Sequence, residues 1–227
     1  MRNDLMKRML KISSIALCSI VSHQAFAILD VQASLGSKTG TFTPDSSKAA
    51  EKTIGGQAFQ AAVHFHVLPI PMFTLGVGLG ASTFTSKDKV NVAYTGNDTT
   101  VASSASLSNI TGVSAGPDIL FGVSIPATDL MPFLRYNYAI NVWKCDADLS
   151  VNGVNQTFDA ALRGSGSHIG LGLAWSPIPL LAVTGEYQMH NDTLSVPEVK
   201  TSGGITVPKV ENKMKSTSIL IGAQFNL

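Results

Sequence analysis

The sequence predicts an all-β chain, a closed antiparallel eight-stranded transmembrane β-barrel with short turns at one end and long loops at the other. Three observations carry this expectation: eight runs of alternating apolar and polar residues, gaps between them that alternate short and long, and a low content of charge. Of the 227 residues only 14% are charged and 20 are glycine, against about 25% charged in a typical soluble domain. Polar character rests instead on Gly, Ser, Thr and Asn, which suits a protein whose outside faces lipid.

The runs fall at 28–36, 57–68, 72–84, 110–125, 132–144, 165–175, 180–190 and 215–227. Their lengths match the roughly 9 to 11 residues with which a tilted strand crosses hydrocarbon. Three gaps are tight: Pro69-Ile70-Pro71, Pro126-Ala127-Thr128-Asp129 and Ser176-Pro177-Ile178-Pro179. The other four, 37–56, 85–109, 145–164 and 191–214, are long. Short turns on the periplasmic side and long loops outside are the pattern of a transmembrane barrel. In hydrocarbon every backbone N–H and C=O must be paired internally, so the first and last strands must meet. Eight strands leave an interior just wide enough for side chains to fill it.

The alternation assigns faces. In the sixth run Ile169, Leu171, Leu173 and Trp175 oppose His168, Gly170, Gly172 and Ala174, and in the last Ile219, Ile221, Ala223, Phe225 and Leu227 oppose Ser218, Gly222, Gln224 and Asn226. The fifth sets Leu134, Tyr136, Tyr138, Ile140 and Val142 against Arg135, Asn137 and Asn141, and the third sets Leu75, Val77 and Leu79 against Gly76, Gly78 and Gly80. The apolar sides are expected to face lipid. Three long loops are expected to continue as hairpins above the membrane, turning at Asn152-Gly153, Gly96-Asn97-Asp98 and Gly203-Gly204, because Asn and Gly accept positive φ. Val196-Pro197-Glu198-Val199-Lys200 and Val207-Pro208-Lys209-Val210 read as the two arms of one ribbon.

Residues 1–27 are expected to be a cleaved secretory signal, leaving 28–227 as the barrel. The bases Arg2, Lys7, Arg8 and Lys11 precede the apolar run Ile12 to Val21 and then Ala25-Phe26-Ala27. Cys18 follows Leu17, where a lipoprotein signal needs a small residue, and reads as an ordinary apolar position. Cleavage removes four bases and Asp4, a net +3, and turns the whole-chain +1 into −2. That balance gives no basis for nucleic-acid binding. Cys145 is then the one remaining cysteine, so no intramolecular disulfide is available.

This arrangement resembles the small eight-stranded outer-membrane proteins of Gram-negative bacteria, a group including OmpA-type, OmpX-type and OmpW-type barrels. The resemblance spans residues 28–227 and rests on architecture. It implies the cell outer membrane, contact with outer-membrane lipid, and handling by the barrel-insertion machinery, whose recognition signal the pattern Ile219, Ile221, Ala223, Phe225 resembles. The chain departs from that signal in ending on Leu227 where an aromatic residue is usual. Members of the group differ in activity, so the resemblance supplies no function.

The inward faces hold the unusual groups: Asp30, His64, His66, Asp118, Arg135, His168, Glu186, Gln188 and His190. Buried charges are tolerated only when paired and hydrogen-bonded, so these residues are expected to form a lumen network, with Arg135 bidentate to Asp118 or Glu186. The four histidines and Glu186 invite a proton or zinc reading, but no tight metal spacing is present; no metal or cofactor is expected. His168 with Ser165 and Ser167, or His190 with Ser195 and Asp192, could be drawn as hydrolytic sites. Neither has the His-x-Ser arrangement of outer-membrane lipid deacylases, and no enzyme is expected. Gly76-x-Gly78-x-Gly80 lacks the following helix that a phosphate loop needs. Trp175, Phe73, Phe133 and Phe225 are read as interfacial anchors. The expected role is structural or surface-interacting, as a monomer meeting an extracellular ligand through its loops; the alternative is a narrow channel or carrier for small solutes, which the glycine-rich polar interior motivates.

Overall fold

A computed structural model describes residues 29–44, 52–67, 72–95, 102–151, 154–196, 199–200, 206–207 and 210–227. The expected signal segment, Pro69-Ile70-Pro71, and the three loop turns at 96–98, 152–153 and 203–204 lie outside these residues. Among the described residues eleven strands occur: β1 (Leu29–Pro44), β2 (Lys52–His66), β3 (Phe73–Ser86), β4 (Val90–Thr95), β5 (Ala102–Val123), β6 (Leu130–Val151), β7 (Val154–Ile178), β8 (Leu181–Val196), β9 (Val199–Lys200), β10 (Thr206–Val207) and β11 (Val210–Asn226).

Eight of them close into a barrel in the order β3-β2-β1-β11-β8-β7-β6-β5, with β5 pairing back onto β3. Every pairing is antiparallel. The seam between β1 and β11 runs to its last residues: Leu29 and Leu227 exchange backbone hydrogen bonds of 3.2 and 2.8 Å. Beyond the end of β3, β4 takes over its place beside β5. The handover sits at a bulge between Ser108 and Thr111, where Asn109 adopts φ 50° and its amide donates to Asp146 at 2.7 Å. Val196 pairs with Val210 and Val199 with Val207, so the two Val-Pro segments are the arms of one ribbon.

The strands run well past the expected ends, and most of 37–56, 145–164 and 191–214 is strand rather than loop. The reason is a reversal of phase. On β6 Leu134, Tyr136, Tyr138, Ile140 and Val142 point out, with Leu134, Tyr138 and Ile140 at 49%, 48% and 67% exposure, whereas Trp143, Cys145 and Ala147 point in and are buried. The same flip occurs around the ring, where Phe42, Ile54, Phe84, Leu162, Leu194 and Met214 turn inward above the apolar belt. Below the flip the barrel is built for lipid, and above it for water. A single unchanging apolar side therefore stops at the membrane surface while the strand does not.

Candidate functional site

The lumen is filled in layers. Uppermost is an apolar plug of Phe42, Ile54, Phe84, Val90, Leu107, Ile110, Trp143, Cys145, Ala147, Ala160, Leu162, Leu194 and Met214, to which all eight barrel strands and β4 contribute. Phe84 and Trp143 pack with ring centroids 5.6 Å apart. Two cavities here and just below measure about 10 Å3 each, room for at most a single water.

Under the plug lies a polar layer. Lys38 directs its ammonium at the rings of Phe84 and Trp143, 5.6 Å from each centroid, and stands 3.7 Å from Asp192 Oδ2. Asp192 Oδ1 also receives the Asn141 amide at 2.8 Å and lies 3.0 Å from His168 Nε2. His190 packs edge-on to His168 at 4.2 Å between centroids and meets Ser218 Oγ through Nε2 at 2.8 Å. His168, His190 and Asp192 place donor atoms within 4.8 Å of one another. The ammonium beside Asp192 already compensates its charge and would oppose a dication, so the donor set fits a hydrogen-bonded pair better than a metal.

Toward the periplasm lies the larger charged layer. Asp30 bridges two imidazoles, its Oδ1 2.8 Å from His64 Nδ1 and its Oδ2 2.7 Å from His66 Nε2. His64 Nε2 reaches Asp118 Oδ1 at 3.2 Å. Arg135 then links two carboxylates, with Nε 3.7 Å from Asp118 and Nη1 3.2 Å from Glu186, while Nη2 donates to Gln32. Gln188 donates to both Glu186 and Gln60, at 2.8 and 2.7 Å. Gln32 continues the network to Thr184 at 3.2 Å. The expected bidentate fork is thus replaced by one guanidinium shared between two acids from different strands. β5 adjoins β6 on one side while β8 lies two strands away on the other, so the two acids approach the guanidinium from opposite flanks.

All eight candidate residues sit on lumen-facing positions, but in two groups. Asp30, His64, His66, Asp118, Arg135 and Glu186 form one cluster; His168 and His190 join Asp192 and Lys38 in the other. Sequence reasoning missed Lys38, Gln32 and the pairing role of Asp192. Lys38 shares the even-numbered parity of Asp30, Gln32 and Ser34, so continuing the first run by two residues would have found it. Phe133 is a correction: it is 2% exposed inside the lumen, under Arg135 with 5.8 Å from the guanidinium carbon to its ring centroid, because it shares parity with Arg135. Phe73, Trp175 and Phe225 are outward, at 46%, 50% and 50% exposure. The glycines make room for these groups. A Cβ at Gly80 would meet the Asp118 carboxylate, at Gly170 the Glu186 carboxylate, and at Gly172 the Phe133 ring.

Neither drawn hydrolytic pair forms. Ser165 faces outward and accepts the Tyr138 hydroxyl at 3.2 Å, and Ser195 donates to the Arg163 carbonyl. His190 meets Ser218 instead, but His190, Ser218 and Asp192 are 6%, 2% and 1% exposed. A substrate has no approach to that pair, and Asp192 bonds His168 rather than His190.

A closed ladder, an apolar exterior and an ion-paired interior define a transmembrane β-barrel, since an exterior this apolar would be a large adhesive patch in water. The protein is an eight-stranded barrel of that kind. Its structure is similar to Neisserial surface protein A, at 12% identity over 88% of this chain and 97% of that one, with a TM-score of 0.46. It is also similar to the outer membrane protein OprG of Pseudomonas aeruginosa, at 14% identity over 87% and 96% with 0.48, and to the outer membrane protease OmpT of Escherichia coli, at 9% identity over 88% and 96% with 0.48. No family model and no curated protein matches the chain.

Proposed function

We propose that the barrel is a sealed membrane anchor whose working surface is the ribbon of strands above the outer leaflet, where it meets an extracellular ligand. The observation that carries this reading is the plug. All eight barrel strands contribute an apolar side chain to it, with Lys38 capping it from below, so the described lumen offers no wet path. Meanwhile β6 and β7 stay paired to Val151 and Val154, seven residues beyond Lys144, or about 24 Å along the strand at ~3.4 Å per residue. Their outward side chains are polar: Asp148 accepts Thr157 at 2.8 Å and Lys89 at 3.2 Å. These partners, Thr157 first and then Lys89, hold the Asp148 carboxyl below the ordinary aspartate range.

The competing channel reading is tested in planar bilayers. The parent barrel is expected to give no single-channel steps, and a variant opened by Phe84→Ala with Trp143→Ala is expected to give small ones. Reproducible steps from the parent would overturn the sealed-anchor reading. For the ribbon, cells displaying the intact barrel are compared with cells in which 146–159 is replaced by a tight turn. Unchanged attachment to epithelial cells or matrix-coated surfaces that bind the parent would remove the ribbon as the working surface.

A further inference from the structure

Among the described residues Lys38 is the one buried lysine, and its contact with Asp192 differs from an ordinary buried ion pair. Nζ lies 3.7 Å from Asp192 Oδ2, beyond the roughly 2.7 to 2.9 Å of a charge-assisted hydrogen bond. Oδ2 is buried and has no hydrogen-bond partner. The rings of Phe84 and Trp143 face the same nitrogen, each centroid 5.6 Å away. A nucleophile and a carboxylate thus meet in a site shut off from water.

The other oxygen of that carboxylate is held tightly. Oδ1 accepts the Asn141 amide at 2.8 Å and lies 3.0 Å from His168 Nε2. Two groups on one oxygen and none on its twin make the carboxylate asymmetric. Oδ1 sits where a carbonyl oxygen would be stabilised as it gained negative charge, and Oδ2 is left free to depart. Gly166 makes room for this arrangement, because a Cβ there would collide with Oδ1.

The barrel fixes the encounter. Lys38 stands on β1 and Asp192 on β8, with β11 between them. Lys38 pairs with Ser218 and Asp192 with Met214, so the lysine stem reaches along the lumen past one strand to the acid. Its flexible stem has only to carry Nζ from Oδ2 to the adjoining Cγ. Reacting groups held in this way behave as if present at roughly 10⁵ to 10⁸ M, which favours a condensation that free amines and acids do not undergo in water. The guanidinium of Arg135 has no such option, because it keeps its proton.

We propose that Lys38 and Asp192 condense once the barrel has closed, forming an isopeptide bond between Nζ and Cγ and releasing one water. The proton on Nζ first passes to Oδ2, since a site without water disfavours separated charges. The amine lone pair then attacks Cγ; the N–C bond forms and the carbonyl π pair moves onto Oδ1, where Asn141 Nδ2–H and His168 Nε2–H receive it. One proton moves from Nζ to the Oδ2 hydroxyl, the C–Oδ2 bond breaks, and Oδ2 leaves with that electron pair as water while the carbonyl at Oδ1 re-forms. Ammonium and carboxylate become amide and water, with no oxidant and no cofactor. The cavity of about 10 Å3 beside Lys38, lined in part by Gln60, Gln188, His190 and Ser218, offers the departing water polar partners. The bond straps β1 to β8 across β11, over the seam where the first and last barrel strands meet, and it is independent of what the ribbon above binds.

The test is the intact mass of the full barrel purified from the membranes of a Gram-negative host, with its first residue identified by sequencing. The denatured parent is expected to be lighter than its linear chain by one water, and its tryptic digest should contain a branched peptide joining the Lys38 and Asp192 segments. Lys38→Arg, which keeps the cation but cannot condense, should have the full linear mass and no branched peptide. After boiling in detergent the parent, closed into a ring, should migrate faster than this variant. Chain refolded from urea starts linear, so the rate can be followed: Asn141→Leu should slow the loss of water about 100-fold, the effect of removing one donor from a site of this kind. Migration before boiling verifies that each variant has closed. A closed parent barrel that keeps its full linear mass after prolonged warming overturns the proposal without recourse to any variant. Loss of water that persists in Lys38→Arg, or that proceeds at the parent rate in Asn141→Leu, also overturns it.

Discussion

Removing the Arg135 guanidinium should be the most damaging single change in the lumen. The side chain is 1% exposed and Glu186 and Asp118 are 4% and 1% exposed, so water is not at hand to replace it. Asp118 keeps His64 at 3.2 Å, but Glu186 keeps only the Gln188 amide. Breaking a buried pair by deleting one partner typically costs about 3 to 5 kcal/mol. A ceiling follows from chemistry: a stranded glutamate can instead take a proton at pH 7, which costs about 1.36 kcal/mol for each unit above its ordinary value near 4.3, or about 4 kcal/mol. Arg135→Ala is therefore expected to lose about 3 to 4 kcal/mol. Reversible urea unfolding in lipid vesicles measures it, with two tryptophans as reporters: Trp175, half-exposed on the outer wall, and Trp143, buried in the plug. Arg135→Met combined with Glu186→Gln should recover much of the loss, since the unpaired charge is gone. A loss below about 1 kcal/mol for Arg135→Ala would match an exposed pair and would refute the dry lumen.

The Cys145 thiol is pushed up to about 11 by burial and by the neighbouring Asp146; maleimide at neutral pH should leave it unlabelled in the folded barrel and label it rapidly in urea, and quick labelling of the folded form would contradict the plug. Asp148 should titrate below the ordinary aspartate value near 4, and Thr157→Val or Lys89→Gln should each move its midpoint upward in carboxyl NMR. Because its folded value is depressed, its contribution to stability is present above the unfolded value and is lost as pH falls through the folded one, so the ribbon should loosen only below about pH 4. Gly172→Ala drives a methyl into the Phe133 ring and should destabilise by about 1 to 3 kcal/mol in the same urea assay; an unaffected variant would show that Phe133 is free to move.

What was legible in the sequence follows from which physical signal stays constant along a strand. Within hydrocarbon the apolar side always points out, so the strand count, the closure and the lipid-facing residues could be read directly. Above the leaflet the same period of two continues with the apolar side inward. Trp143-x-Cys145-x-Ala147 and Ala160-x-Leu162 carry that signal in plain view, but with the opposite phase, so a pattern that keeps the apolar side outward ends before them. That reversal of phase is what conceals the plug in the sequence. The acids and bases of the lower cluster were found by parity because they interrupt otherwise apolar or glycine-rich runs. Gln32 was not, because an uncharged amide advertises no need for a partner, and sequence cannot show that a guanidinium ends beside it. Phe133 was legible and misassigned: being aromatic near a strand end suggested an anchor, while its parity with Arg135 already placed it inside.

Arg135, Asn137, Asn141, Trp143, Cys145 and Ala147 lie on one uninterrupted strand, from the periplasmic half of the lumen to the base of the ribbon. Described strand pairs between the leaflet and Val151↔Val154 hold no linker at which the outer part could swing. The ribbon is thus oriented by the barrel itself, at an angle to the cell surface set by the strand tilt. A partner would meet a surface already ordered, leaving the loss of freedom on association to the partner. A peptide grafted between Val151 and Val154 would inherit that fixed bearing, and its direction could be changed only by reshaping the barrel beneath it.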